Sequence, residues 1–513
     1  MRIEDHLRAS ARKLPEKVAL MAGETQLTYS GLDEASDRLA SVLFRSGVRP
    51  GDRVVLLLEN GSEFVTSLFA IWKAGAVACP LHPSTRAEKL GRIVESLGAS
   101  ALVTQARLLP TAQAAVARRD GSTVLLAWGL AEEALNEAAA RCEQLLAEGT
   151  DAPALNNDER ALALILHTSG STGEPKGVMH THASLGAACA SIIVYLGNDE
   201  NDVVFNVLPL SFGYGLTQVV TMAMVGGTLH LEKSFAFPAA ILKRLAETRA
   251  TGLPLVPSMA AAIANMKELE PGFLPDIRYI TSAAAALPPA IAGKIRRLFP
   301  AARLHIMYGQ TECIRALSLP PEALGAHPAS VGFAIPGTEA FVIDENGERA
   351  APGTVGELLI RGPHVMTGYW NDPDASATKL REEAGGDSRI LQTGDLFSAD
   401  ENGFLTFVSR RDDIIKSRGE KVSPQEVERA LYAIEGIVEA AVTGVPDDFL
   451  GQAVKAFVVL APGVSLSHRD IVRSLARTLE DYMLPQSTEF CESLPKTASG
   501  KLRLGLAQET IGD

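Results

Sequence analysis

The sequence of 513 residues has few cysteines and an excess of acidic over basic side chains. Its five cysteines are odd in number and contain no CxxC pair, which argues against a disulfide framework and against a zinc site built from cysteines. The 48 Lys and Arg residues against 61 Asp and Glu residues give a net charge of −13, so no broad basic surface is expected. We therefore expect no nucleic-acid partner and a reducing, cytoplasmic location.

One long segment lacks charged side chains altogether. Residues 203–231 contain no Asp, Glu, Lys or Arg, and the segment is long enough to cross a bilayer. Proline and glycine interrupt it at Pro209, Gly213, Gly215 and Gly226, and irregular backbone exposed to lipid is not tolerated. The pattern therefore predicts a buried strand, a turn and a helix, and no membrane span.

Apolar and helical segments alternate in the first half of the chain. Runs such as 54–58 and 76–81 have the composition of buried strands, and helical patterns separate them, which is typical of parallel sheets covered by helices. From about residue 337 short strands and turns dominate, and Ser423 with Pro424 predicts the start of a later helix. We predict an α/β protein: a large domain (residues 1–410) with a β-rich subdomain (about 337–410), and a small, mobile α+β C-terminal domain (residues 411–513).

The strongest candidate for a binding site is the segment HTSGSTGEPKG at 167–177, which follows a strand-like run. Glycines let a backbone turn tightly beside an anion, hydroxyl groups donate hydrogen bonds to it, and a lysine adds positive charge, so the segment suits a polyphosphate. Its spacing differs from the GxxxxGK(S/T) pattern of P-loop proteins, and the hydrolase motifs HExxH and GxSxG are absent. The candidate phosphate-binding residues are Thr168, Ser169, Gly170, Ser171, Thr172, Gly173 and Lys176.

This segment resembles the adenylate-forming superfamily, which comprises acyl- and aryl-CoA synthetases, adenylation domains of peptide synthetases, and luciferases. Thr168 to Gly177 match the family pattern TSGSTGxPKG, and His167 stands where the family has an aromatic residue. The resemblance covers nearly the whole chain, because further motifs follow in the family's order. Landmarks such as Gly368-Tyr369-Trp370 are interpreted as structural.

Two motifs imply contacts with the nucleotide. The segment MYGQTE at 307–312 is similar to the family's YGxTE, which implies that Tyr308 and Gly309 lie at the adenine, that Thr311 contacts the α-phosphate and that Glu312 helps to hold Mg²⁺. An aromatic ring, a hydroxyl group and a carboxylate are also what an ATP site requires on chemical grounds. Thr393-Gly394-Asp395 resembles the family's TGD, which implies that Asp395 binds the ribose hydroxyls; without that context it would be a simple turn.

The acid pocket is predicted from two further segments, one of which also borders the nucleotide. Ala283 and Ala284 stand in place of the glycines of the family's SGGxxLP, which lies along the adenine and the acyl group. The resemblance implies that Ala284 contacts ATP and Ala283 the acid, with a displaced backbone or a narrower pocket. Phe212 replaces a gating His, Gly213 replaces the Asp that binds an ammonium group, and Val256 is a further candidate wall. Because an α-amino group is costly to bury without a counter-charge, we expect an aliphatic or aromatic carboxylic acid without an α-amine.

The remaining motifs concern the C-terminal part of the chain. Residues 409–422 resemble the family's GRxDDxIKxxGxxV, which implies that Arg410 contacts ATP, that Asp412 is the hinge and that Gly419 lies beside the thiol channel. The segment LPKTASGK at 494–501 resembles LPKTxxGK, and Lys501 falls on the family's catalytic lysine. A cation at that point offsets the repulsion between a carboxylate and the α-phosphate.

The resemblance implies an AMP-forming acid–thiol ligase that uses ATP, Mg²⁺ and CoA. ATP and a carboxylate would form an acyl-adenylate and pyrophosphate, after which the thiol displaces AMP. Two alternatives stay open: a stand-alone adenylation enzyme that loads the phosphopantetheine arm of an acyl carrier protein, and a non-catalytic nucleotide-binding regulator. The regulator would be expected to lack Lys501 or Glu312, and both are present.

Overall fold

The computed structural model describes residues 1–117, 123–130, 140–142, 158–169, 175–266, 269–382, 389–411, 413–417, 420–447 and 450–496. In chain order, the helices of these ranges are α1 (Ile3–Lys13), α2 (Tyr29–Arg45), α3 (Ser62–Lys73), α4 (Ala87–Leu97), α5 (Leu109–Val116), α6 (His182–Leu196), α7 (Gly213–Val225), α8 (Pro238–Glu247), α9 (Pro257–Ala264), α10 (Pro289–Leu298), α11 (Pro373–Lys379), α12 (Pro424–Tyr432) and α13 (His468–Leu475).

The strands of the same ranges form four sheets. They are β1 (Val18–Ala22), β2 (Thr25–Thr28), β3 (Arg53–Leu57), β4 (Val77–Leu81), β5 (Ala101–Gln105), β6 (Val124–Trp128), β7 (Ala140–Arg141), β8 (Leu162–Ser169), β9 (Pro175–Thr181), β10 (Val203–Asn206), β11 (Thr228–Leu231), β12 (Gly252–Leu255), β13 (Tyr279–Ser282), β14 (Arg303–Tyr308), β15 (Leu317–Leu319), β16 (Phe333–Ala334), β17 (Glu339–Ile343), β18 (Gly356–Arg361), β19 (Gly368–Tyr369), β20 (Leu380–Glu382), β21 (Arg389–Ala399), β22 (Leu405–Arg410), β23 (Ile415–Ser417), β24 (Glu420–Val422), β25 (Ile437–Asp447), β26 (Gly451–Leu460) and β27 (Ser487–Phe490).

Two large sheets with parallel centres make up the first part of the chain. One has the order β16-β15-β14-β13-β12-β10-β11-β1-β2 and the other β19-β9-β8-β4-β3-β5-β6-β7. Antiparallel pairs occur at the ends of both, for example β14 with β15 and β8 with β9. The alternation of helices with buried strands therefore produces the predicted α/β architecture.

Helices lie between the two sheets and share one hydrophobic core with them. This cluster contains Leu20 from the first sheet, Val54 from the second, and side chains of α1, α2, α3, α6 and α7. The indole Nε1 of Trp72, on α3, donates to the Ala163 carbonyl on β8 at 2.8 Å. A buried indole needs such a partner, and the bond ties the helix to the strand that leads into the phosphate segment.

The uncharged segment 203–231 folds as predicted. It forms β10, then α7, then β11, and β10 and β11 pair in parallel. Within the described ranges, no helix is both long enough and apolar enough to cross a membrane.

Two smaller sheets follow. β17, β18, β20, β21 and β22 form an antiparallel sheet, and β23 to β27 form a sheet of the C-terminal part, where α12 and α13 contribute to its hydrophobic cluster. Ser423 caps α12 as predicted, because its Oγ accepts the amide hydrogen of Glu426. The same Oγ donates to the Val408 carbonyl at 2.6 Å, which connects the start of α12 with β22. The separate C-terminal, β-containing domain is confirmed, whereas its boundary at residue 411 and its mobility stay predictions.

Candidate nucleotide and acid site

The phosphate segment begins and ends on a pair of antiparallel strands. β8 and β9 place Thr168 opposite Lys176 and Ser169 opposite Pro175. A Cβ atom at Gly177 would come within 2.9 Å of Ile165 and 3.2 Å of Trp370, so glycine is required where these residues meet. The predicted residues Gly170, Ser171, Thr172 and Gly173 lie outside the described residues.

Lys176 and Glu312 approach the same tyrosine ring. The Nζ of Lys176 lies 5.3 Å from the ring centroid of Tyr369 and 4.0 Å from Oδ2 of Asp372. The Tyr369 hydroxyl donates to Oε1 of Glu312 at 2.8 Å. Burial and the Glu312 carboxylate raise the pKa of Tyr369, so the hydroxyl remains a donor. The sequence interpretation of Tyr369 as structural missed this contact.

Tyr308 and Gln310 converge on one carboxylate oxygen. Oδ2 of Asp395 accepts from the Tyr308 hydroxyl at 2.7 Å and from Nε2 of Gln310 at 2.8 Å. The Tyr308 ring packs edge-on against Phe397, with 4.9 Å between the centroids. Burial and the Asp395 carboxylate hold the pKa of Tyr308 well above its usual value. The structure therefore brings together two motif residues that are 87 positions apart in the chain, and their roles at the nucleotide stay predictions.

The segment Thr393-Gly394-Asp395 is not a simple turn but an irregular part of strand β21. The pairing register with β18 shifts here, and Gly394 has a φ of 73°, which favours glycine. The Thr393 Oγ1 donates to the Leu358 carbonyl at 2.7 Å and accepts from the Asp395 amide at 3.1 Å. The bulge therefore directs the Asp395 side chain towards Tyr308.

Arg410 lies opposite Asp395 in the β21–β22 pair. Its Nε is 3.7 Å from Oδ1 of Asp395, and its side chain is 56% exposed. This position leaves the guanidinium accessible to a ligand beside the buried carboxylate. The predicted hinge Asp412, the thiol-channel residue Gly419 and the catalytic residue Lys501 lie outside the described residues.

The loop after Tyr308 is tightly packed. A Cβ atom at Gly309 would come within 2.6 Å of the Ile314 carbonyl oxygen and 2.8 Å of the Arg315 Cα, so the loop accepts only glycine there. The Thr311 carbonyl is 2.8 Å from Nε2 of His180. Burial lowers the pKa of His180 to about 4, so the ring is neutral at pH 7 and Nε2 carries the hydrogen that it donates.

The predicted acid-pocket residues lie at the ends of helices and strands. Phe212 precedes α7 and its ring lies 5.9 Å from that of His82, while Val256 precedes α9 and is buried. A Cβ atom at Gly213 would only reach ordinary contact, 3.4 Å from Leu166. Ala283 is buried. Its neighbour Ala284, predicted to contact ATP, has a φ of 79°, in the left-handed region that disfavours alanine.

A tyrosine and an arginine complete this region, and sequence reasoning missed both. The Tyr214 hydroxyl lies 2.6 Å from Oγ1 of Thr281, which connects the start of α7 with the strand before Ala283. The guanidinium carbon of Arg315 lies 4.8 Å from the Tyr214 ring centroid. The available signal was one charged side chain within the apolar run CIRALSL at 313–319.

The residues present fit ATP and a magnesium ion. The Tyr308–Asp395 pair offers an aromatic ring beside a carboxylate, and the exposed guanidinium of Arg410 lies next to it. Among the described residues, no three His, Cys, Asp or Glu side chains are grouped to hold a metal ion. Such a group is not required, because Mg²⁺ in nucleotide sites is usually held by one or two carboxylates together with substrate phosphates. Glu312 can supply one such carboxylate.

Two family models match most of the chain. The family model of AMP-binding enzymes matches residues 7–370, and that of the AMP-binding enzyme C-terminal domain matches residues 426–501. A feruloyl-CoA synthase of Amycolatopsis sp. is 33% identical over 505 residues, which cover 98% of this chain and 97% of that protein.

Solved structures are similar over the full length. A benzoate CoA ligase from Burkholderia xenovorans LB400 has a TM-score of 0.89 at 27% identity, with 99% of each chain covered. The ATP-bound MatB from Rhodopseudomonas palustris has a TM-score of 0.89 at 26% identity, covering 100% of this chain and 99% of that one.

Proposed function

The chain belongs to the AMP-binding enzyme family, and from that membership we propose how its residues share the work of the reaction. It is an acyl/aryl-CoA synthetase, an AMP-forming ligase that uses ATP to activate a carboxylic acid and transfers the acyl group to CoA. The roles of individual residues, the use of Mg²⁺ and the identity of the acid are proposals. The observation that carries them is the convergence of Tyr308, Gln310 and Arg410 on Asp395.

The nucleoside end of ATP is assigned to this group. Asp395 has two carboxylate oxygens, and the one that faces Arg410 is not the one that Tyr308 and Gln310 occupy. A carboxylate can accept several hydrogen bonds, so Asp395 can also accept those of the ribose hydroxyls. Arg410 is accessible at the same edge, where its guanidinium can bind ATP, and the Tyr308 ring provides a flat surface for adenine.

The triphosphate is assigned to the segment between β8 and β9. Thr168, Ser169, Gly170, Ser171, Thr172 and Gly173 would bind phosphate oxygens together with Lys176 and Thr311. Glu312, oriented by the Tyr369 hydroxyl, would hold Mg²⁺. The ion would offset negative charge on the phosphates when bound. The contacts of Lys176 and Glu312 with Tyr369 support this assignment, because they place an ammonium group and a carboxylate near the same side chain.

The C-terminal part would contribute to both half-reactions. Lys501 would place a cation between the attacking carboxylate and the α-phosphate, where preorganised charge is most effective. Residues 411–513 would then move about Asp412 so that Gly419 lies beside the path of the thiol. These assignments rest on the family motifs at 409–422 and 494–501.

The acid is proposed to lack an α-amine, because Gly213 provides no carboxylate for it. CoA is the acceptor, and loading of a carrier protein is the second candidate that the experiment below separates. A non-catalytic regulator is disfavoured because Glu312 is held in place by Tyr369 and Lys501 is present. We place the reaction in the cytoplasm, where ATP and CoA are available.

Exchange of labelled pyrophosphate into ATP tests the proposal. A panel of aliphatic and aromatic acids is screened for acid-dependent exchange, and CoA is added to the reaction with the best acid. We expect exchange with a subset of acids and CoA thioester formation. Absence of exchange with every acid would contradict the ligase function, and exchange without CoA consumption would favour a carrier protein.

A further inference from the structure

Within the part of the chain that the structure describes, Arg315 is a buried cation without a counter-charge. Its side chain is 2% exposed and is one of the largest that are fully buried among the described residues. Among the described residues its Nε has no hydrogen-bond partner and the guanidinium makes no ion pair, although it hydrogen-bonds to the Tyr195 hydroxyl. Arginine is almost never fully buried unless it is paired, so the position calls for an explanation.

The groups that surround Arg315 are neutral at pH 7. Burial raises the pKa of the Tyr195 hydroxyl to about 12 and also raises the pKa values of Tyr214 and the Cys189 thiol. Glu312, three residues earlier, is engaged by the Tyr369 hydroxyl. The Tyr214 ring stabilises the cation through its face, but it adds no negative charge.

Arg315 lies where the two proposed walls of the acid pocket meet. Tyr214 directly follows Phe212 and Gly213, and its hydroxyl contacts Thr281, two residues before Ala283. Arg315 packs on the Tyr214 ring on one side. Its Cα lies against Gly309, next to the proposed adenine site. The guanidinium is therefore inside the acid region and not on an outer surface.

We infer that Arg315 determines specificity by binding a second carboxylate on the acid, at the end away from the reacting carboxylate. This inference rests on the proposed function. The planar guanidinium of arginine matches a carboxylate through two parallel hydrogen bonds. A tight pair with the reacting carboxylate would instead stabilise the ground state and oppose its attack on the α-phosphate. The preferred substrates are thus dicarboxylic acids that are activated at one end.

Matched pairs of acids test this inference. In succinate and butyrate, and in terephthalate and 4-methylbenzoate, a carboxylate replaces a methyl group at the distal end. We expect the wild type to favour the diacid of at least one pair by on the order of 30-fold or more in kcat/KM for pyrophosphate exchange. Arg315→Met should remove or invert the preference, and Arg315→Lys should keep part of it.

The control is Arg49→Met, because Arg49 also lies over an aromatic ring, that of Phe44, but far from the site in the connection after α2. It should leave the acid preference unchanged. Equal or better exchange with the monoacids, or a preference for 4-hydroxybenzoate over terephthalate, would overturn the inference while leaving the ligase function intact. Absence of exchange with all acids would instead contradict the proposed function. If Arg315→Met fails to fold, the preference of the wild type and of Arg315→Lys decides.

Discussion

At the scale of single residues, Tyr369 connects two charged groups of the site. Its ring faces the Lys176 ammonium group, and its hydroxyl donates to Glu312. Neither contact can be read from the sequence, because Tyr369 follows Glu312 by 57 positions and reaches it through the pairing of β19 with β9. The motif residues were predicted, whereas the residue that orients them depends on tertiary contacts.

Tyr369→Phe should weaken the use of MgATP while preserving the fold. The substitution keeps the buried ring and removes one hydrogen bond to a carboxylate, which is typically worth about 1.5–3 kcal/mol. We expect the KM for MgATP to rise by about 10-fold or more and the melting temperature to change little. Steady-state kinetics over a range of Mg²⁺ concentrations measure this. Tyr432→Phe, in α12, is the control, and an equal effect of both substitutions would contradict the role of Tyr369.

Lys501→Ala should separate the two half-reactions. Adenylation, measured by pyrophosphate exchange, should be lost, because the cation opposite the α-phosphate is removed. Thioester formation from supplied acyl-adenylate and CoA should persist. An equal loss in both steps would show that Lys501 does not have the role proposed for it.

Ala284→Gly should stabilise the protein. Alanine in the left-handed region costs about 1–2 kcal/mol, part of which is offset because glycine loses more backbone entropy on folding. We expect a gain of about 0.5–1 kcal/mol in the free energy of unfolding, measured by chemical denaturation. Ala283→Gly, at the buried neighbour, should destabilise, so stabilisation by Ala283→Gly and not by Ala284→Gly would contradict the strain argument.

At the scale of helices and strands, the sequence predicted what local patterns determine. The apolar runs at 54–58 and 76–81 became β3 and β4, and the interrupted segment 203–231 became β10, α7 and β11. The bulge in β21 was not predicted, because a register shift depends on the partner strand β18. Arg315 was missed for a similar reason: its burial results from α7 and the packing of the Gly309 loop.

Thr393→Val tests whether the bulge in β21 positions Asp395. Valine keeps the shape but loses the bonds of Oγ1 to the Leu358 carbonyl and the Asp395 amide, which should cost about 1–3 kcal/mol of stability because buried partners lose their hydrogen bonds. We expect a raised KM for ATP with a smaller change in kcat. Thr378→Val, in the exposed part of α11, is the control. A loss of stability with an unchanged KM would mean that the bulge does not position Asp395.

At the scale of the whole molecule, buried histidines make stability depend on pH. Burial lowers the pKa of His167, His180, His305 and His364 to about 4 and that of His182 to about 3. Between pH 6.5 and these values the unfolded chain binds more protons than the folded one. Each histidine therefore costs up to about 1.4 kcal/mol of stability per pH unit as the pH falls through this window.

The melting temperature should fall steadily from pH 6.5 to pH 5, above the range in which ordinary carboxylates titrate. Glu428 acts in the opposite direction, because burial raises its pKa to about 7 and its contribution grows as the pH falls. The combined loss of stability from the five histidines is larger than the gain from Glu428. Thermal unfolding followed by circular dichroism measures the trend, and a constant or rising melting temperature over this interval would contradict the neutral state of the histidines.

In the proposed reaction a carboxylate oxygen of the acid attacks the α-phosphate of ATP. An acid whose carboxylate carries two ¹⁸O atoms, chosen from those that support exchange, is incubated with the enzyme, ATP, Mg²⁺ and CoA, and the nucleotide products are analysed by mass spectrometry. We expect one ¹⁸O atom in each AMP released, with the other retained in the thioester. Unlabelled AMP, or ADP and phosphate in its place, would contradict it.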